Sequence, residues 1–91
     1  KEAILAHFNP NLPCVLEPDA SKSALGAVCS QPDENGVLRP LGFYSRSLTA
    51  AERNYHVHDT ELLAAIEGLE HWRHFFAYSK FPATILTVHK D

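Results

Sequence analysis

Ninety-one residues make one small domain, and a hydrophobic content of 45% with 21% charged residues is ordinary for a globular chain. The formal charge of −3 and eight scattered basic residues exclude tight binding of nucleic-acid phosphates by charge alone. No apolar run reaches the roughly 18–20 residues of a membrane helix, and two cysteines outside any CxxC pair exclude a disulfide framework, so Cys14 and Cys29 are expected as reduced, buried thiols.

The opening stretch, "KEAILAHF", is expected as a short helical lead-in or an extended arm, and it lacks the long apolar stretch and cleavage site of a signal peptide. Lys1 is not a start methionine, so a fragment or processed piece is expected. "NPNLP" breaks any helix, because each proline removes a donor and restricts the residue before it. A first strand follows at about 13–19, a tight turn at "SKS", and a second strand at 24–31. Pro18 inside the first strand predicts a bulge or an early strand end. "PDENG" is a turn signal with Asn35-Gly36 suited to positive φ, and a third strand runs over 37–47, completing an antiparallel meander.

The periodicity changes at residue 49. Thr49 to Glu52 fits a capping box, opening a short helical turn that carries Asn54 and Tyr55. The main helix is predicted over 58–78, with Leu62, Ala65, Ile66, Leu69, Trp72 and Phe76 as one apolar stripe. Gly68 in its middle costs about 1 kcal/mol in propensity, which close approach to a sheet would explain. "ATILTVHK" (83–90) is a last strand rich in β-branched residues. A right-handed crossover then sets that strand parallel beside the first, giving the order 3-2-1-4 with the fourth strand an open edge.

This arrangement gathers the end of the first strand, the first turn of the long helix and the end of the fourth strand. They carry Asp19, Glu61 and "TVHKD". Two converging carboxylates repel each other, and a divalent cation with oxygen ligands relieves that. The local alternative stands beside it: Asp19 as a turn residue capping "SKS", and Glu61 as an acid in a favourable first helical turn.

"DASKSALGAVCSQ", "GFYSRSLTAAERNY", "DTELLAAIEGLEHWRHF" and "ILTVHK", in that order, resemble successive blocks of the ribonuclease H domain in reverse transcriptases of gypsy-class LTR retrotransposons, over about residues 5–90. The resemblance implies an α+β ribonuclease H-like fold, a single partial domain over 1–91 truncated before a fifth strand. It implies a parent activity, hydrolysis of RNA in RNA–DNA hybrids, in which four acidic residues hold two magnesium ions and manganese can substitute. It places Asp19 as the bridging ligand and Glu61 as the second ligand. It also marks Arg46 and His89 as substrate contacts, with a solvated or ion-paired Arg46 and a plain strand-end His89 as the alternatives.

The chain departs from the family pattern in three places. Relatives read Thr-Asp-His-Lys where this chain reads "TVHK", so Val88 stands at the third acid. The fourth acid would lie beyond Asp91, and Asp91 itself is about 10 Å along an extended strand from position 88. Relatives have Thr where this chain has Pro18. Val88 cannot ligate a cation, so weak or absent magnesium binding and little or no nuclease activity are expected. A degenerate, non-catalytic structural or host-adopted interaction module is the alternative function. The implied partners are an RNA–DNA hybrid and the reverse transcriptase domains of the parent polyprotein, with no membrane, in an intracellular setting (cytoplasm, virus-like particle or nucleus). Self-association through the open edge at 84–90 is expected as well.

His71 and His74 share a helix side, but no zinc-binding spacing accompanies them, and exposed helix-surface histidines are the expectation. Trp72, Phe75 and Phe76 at helical spacing are expected as core rather than as a base-stacking set.

Overall fold

The computed structural model of the chain describes residues 5–87. Four strands form one sheet in the order β3-β2-β1-β4: β1 (Val15–Ala20), β2 (Ala24–Pro32), β3 (Leu38–Ser47) and β4 (Thr84–Ile85). β1, β2 and β3 pair antiparallel, and β4 pairs parallel with β1. The expected α+β topology and strand order are therefore met. Val88, His89 and Asp91 lie outside the described residues, as does the end of the predicted fourth strand.

The turns follow their local chemistry. Ser21 closes the first hairpin by donating its N–H to the Ala24 carbonyl at 2.8 Å. In the second, Asp33 accepts from the Asn35 and Val37 amides, and Gly36 supplies the one left-handed residue of the turn at φ 80°. The register shifts between Cys29 and Ser30, whose partners are Gly42 and Pro40, so Leu41 is the extra residue of a bulge and packs into the core.

Pro18 produces no bulge: β1 pairs with β2 without interruption from Val15 to Ala20. The reason lies in the direction of the backbone groups. Leu16 turns its carbonyl to β4, where it accepts from the Leu86 amide at 2.9 Å. Pro18, two residues on, is oriented the same way, so its missing N–H is absent from the β4 side and costs β2 nothing. A parallel ladder would next need that N–H for the Leu86 carbonyl. Its absence explains why, among the described residues, the pairing of β4 with β1 stops at Ile85.

The described part of the opening stretch, residues 5–8, takes the extended alternative. Ala6 donates to the Pro40 carbonyl at 2.9 Å, and Phe8 stacks on Phe75 with centroids 4.6 Å apart. Buried Gln31 ties this arm down, accepting from the Asn9 amide and donating to the Asn9 and Leu12 carbonyls.

The predicted long helix is two. α1 (Val57–His71) and α2 (Arg73–Tyr78) meet at Trp72, which leaves the helical region at φ −109°, ψ 31°. Trp72 is buried with its indole Nε1 3.0 Å from where a Cβ on Gly42 would stand. Of the predicted stripe, Ala65 and Trp72 are buried and Leu69 and Phe76 pack against the core, but the first turns are rotated. Thr60, Ala64, Ala65 and Gly68 are the buried face of α1, whereas Leu62 and Ile66 are more than half exposed. Small residues let α1 lie close on the sheet: a Cβ at Gly68 would be 2.9 Å from Leu16 Cδ1 and 3.1 Å from the Ala27 Cβ. Beneath them Leu16 and Leu25 are almost wholly buried, each contributing roughly 1.5–3 kcal/mol. Cys14 and Cys29 are unbridged and buried in the same core.

Candidate functional site

β1 runs alongside β4 and, through two antiparallel pairings, in the direction of β3. α1 links the end of β3 to the start of β4 and so runs back, which sets its first turns over the end at which β1 finishes. Distances along the two elements agree. From the contact of Gly68 with Leu16, Glu61 lies seven residues back along the helix, about 10 Å. Asp19 lies three residues on along the strand, also about 10 Å.

Glu61 occupies the sheet-facing side of α1, at i, i+4 and i+7 with Ala65 and Gly68, and is half-buried. Its Oε1 stands 3.9 Å from Nδ1 of exposed His58. Asp19 pairs with Gly26, is exposed, and has the parity of Glu17 rather than of core-facing Leu16. With Glu17, Val28, Phe43 and Ser45 it lines a shallow hollow on the helix-free side of the sheet. The two carboxylates thus share one end of the sheet, Asp19 from the strand and Glu61 from the helix side. Among the described residues no group of three or more His, Cys, Asp or Glu side chains is close enough to form a metal cage.

A cavity of about 500 Å³ joins the end of β1 to the start of α1. Its lining includes Ala20, Ser21 and Lys22 from the end of β1 and the hairpin after it, and Glu52, Arg53, Tyr55 and Thr60 from the segment that leads into α1. Two cations, Lys22 and Arg53, therefore border the hollow together with one carboxylate, Glu52, which Arg46 neutralises in part.

Arg46 takes the ion-paired alternative. Its Nε and Nη2 donate to Glu67, its Nη1 and Nη2 donate to Glu52 at 2.8 and 2.9 Å, and Nη1 also donates to the Ser47 carbonyl. Tyr44 adds a bond to Glu67 at 2.7 Å. Glu52 completes the predicted capping box: it accepts from the Thr49 amide, and its own amide donates to the Thr49 hydroxyl at 3.2 Å. The guanidinium holds the Glu52 carboxyl down at about 2 and lowers that of Glu67, while the Glu67 carboxylate raises the Tyr44 phenol. The Thr49–Glu52 pair is local and legible in sequence. The convergence of Glu67 with Arg46 is not, because 21 residues separate them. The available signal was the shared parity of Tyr44 and Arg46 on one strand, opposite a glutamate beside the helix's glycine.

A family model described as "RNase H-like domain found in reverse transcriptase" matches residues 1–83. The Tf2-3 and Tf2-4 transposon polyproteins of Schizosaccharomyces pombe are each 42% identical over 88 residues, 97% of this chain. The chain spans 7% of the length of these curated relatives. Among solved structures, the foamy viral protease-reverse transcriptase in complex with an RNA/DNA hybrid superposes with a TM-score of 0.73 at 15% identity, covering 96% of this chain and 11% of that one. The dRH form of that protein in complex with double-stranded DNA superposes with the same score and covers 14% of its chain. At this identity the likeness shows the fold.

Proposed function

The chain belongs to the RNase H-like domain family found in reverse transcriptase, and from that membership we propose that it is the hybrid-directed nuclease module of a retrotransposon polyprotein, with Asp19 and Glu61 as metal-ligating carboxylates. What supports this reading is that β1 and α1 carry both acids to one end of the sheet, where their chain neighbours Ala20 and Thr60 line one cavity with Lys22 and Arg53. Carboxylate oxygens suit a hard cation such as magnesium or manganese. A divalent cation held there supplies an activated water and a stabilised leaving oxygen. Lys22 and Arg53 neutralise phosphates of the strand lying in the cavity, and local attraction of this kind is what an acidic chain needs. Recognition of the RNA strand rests on its 2′-hydroxyls.

The resemblance puts Val88 at the third acid, and its side chain has no oxygen to offer. We therefore expect the 91-residue chain to cleave hybrid weakly or not at all. A hybrid-cleavage assay in magnesium and in manganese tests this. Val88→Asp should raise cleavage and metal affinity, and Asp19→Asn should remove both gains. Cleavage that survives Asp19→Asn would overturn the assignment. The second reading, a non-catalytic interaction module, is favoured by one observation: Leu62 and Ile66 put apolar side chains on the outer face of α1. Failure of Val88→Asp to bring any metal binding or cleavage would support it.

A further inference from the structure

We propose that Arg46 is a positioning residue that fixes the wall of the cavity assigned above to the hybrid, and the inference rests on that assignment. The segment between β3 and α1 has little stability of its own. Its only regular structure is one 3₁₀ turn, Glu52–Asn54, held by the Arg53, Asn54 and Tyr55 amides donating to the Thr49, Ala51 and Glu52 carbonyls at 3.0, 3.2 and 3.0 Å. A single turn of this kind fixes several dihedrals for few bonds and needs anchors. Arg46 is the anchor that reaches furthest: it joins Glu52 in that turn to Glu67 on α1 from a base on β3. Glu52 and the residues after it, Arg53 and Tyr55, line the cavity that Lys22 also borders.

All five N–H donors of Arg46 are occupied by Glu67, Glu52 and the Ser47 carbonyl. No donor is left for a phosphate. The clamp also brings two carboxylates to one guanidinium, a net negative charge beside a cavity that is to receive an anion. Charge alone gives such a group no use at a nucleic-acid site. Holding the wall in place gives it one.

The sign of one substitution separates the two roles. Glu52→Gln removes a negative charge and loosens Arg46. If Arg46 contacts phosphate directly, or if charge alone decides, this variant binds a labelled RNA–DNA hybrid more tightly. If Arg46 positions the wall, it binds more weakly, by about tenfold for one lost charged hydrogen bond. Arg46→Lys, a compact charge that cannot fork to both carboxylates, should weaken binding in the same direction. Hydrogen exchange keeps the inference testable apart from the hybrid. The Arg53, Asn54 and Tyr55 amides should exchange faster in Arg46→Lys while those of β2 stay unchanged. If the wild-type chain binds no hybrid, the cavity assignment fails, and the clamp stands or falls on that exchange result. Equal or tighter hybrid binding by Glu52→Gln, or unaltered exchange at Arg53–Tyr55, overturns it.

Discussion

Arg46 lies between Glu52 and Glu67 and holds both carboxyls below their ordinary range, and that makes the clamp sensitive to acid. The unfolded chain protonates Glu52 near its ordinary 4.5, whereas the folded chain holds it at about 2. The stability it contributes is therefore full above about pH 4.5 and is lost as pH falls toward 2. Glu67, lowered by the same guanidinium, and Asp33, lowered chiefly by the Val37 amide, act in the same direction. Acid unfolding followed by Trp72 fluorescence should show a steep loss of stability below about pH 4.5, and Glu52→Gln should make it shallower. An identical slope in the variant would contradict the clamp. At the other end burial pushes the Cys29 thiol up to about 12, so stability should decline as pH rises above 9, where the unfolded chain gives up that proton. At this scale the local signals were legible: the Thr49–Glu52 box, Gly36 in its turn and the buried cysteines. The Arg46–Glu67 pairing was not, since it exists only after β3 and α1 have packed.

Elements were legible where the pattern was local and less so where packing chose between two faces. Apolar periodicity correctly put Ala65, Leu69, Trp72 and Phe76 against the core, but it also predicted that Leu62 and Ile66 face the sheet, and the fold buries Thr60, Ala64 and Gly68 in their place. Close approach won over side-chain size, because a thin helix face brings the whole backbone nearer the core. Gly68→Ala tests this. Helix propensity alone predicts a gain of about 1 kcal/mol. The 2.9 Å approach to Leu16 predicts instead a loss of roughly 1–3 kcal/mol from overpacking, measured by urea unfolding. A stabilised variant would show that α1 sits less tightly. The break at Trp72 had no proline or glycine to announce it. Pro18 was a correct warning with the wrong consequence, since it shortens the β4 pairing rather than bending β1. Pro18→Thr restores the donor facing the Leu86 carbonyl, and its amide should show slowed hydrogen exchange. A freely exchanging amide at position 18 would reject that explanation of β4.

For the molecule as a whole, the strand order and the parallel fourth strand followed from counting elements and burying one helix, and both hold. The side of β1 from which Asp19 projects did not follow so simply. Strand alternation sends it to the helix-free side, although it shares its end of the sheet with Glu61. The outer surface keeps Leu62, Ile66, Ile85 and Leu86 more than two-fifths exposed, along α1 and at β4. Surfaces of this kind favour association. Sedimentation at tens of micromolar should therefore show a self-associating species, which Leu62→Glu with Ile66→Lys disperses. A strictly monomeric wild-type chain would remove both the outer face of α1 and the open edge as interaction surfaces.

The central claim is that Asp19 and Glu61 act together on one divalent cation. Manganese titration of the isotope-labelled chain, read by paramagnetic line broadening, tests it most directly. The account predicts that broadening begins at residues 18–22 and 57–63 together and disappears from both segments in Asp19→Asn. Broadening confined to one of them, or centred elsewhere on the surface, would contradict it.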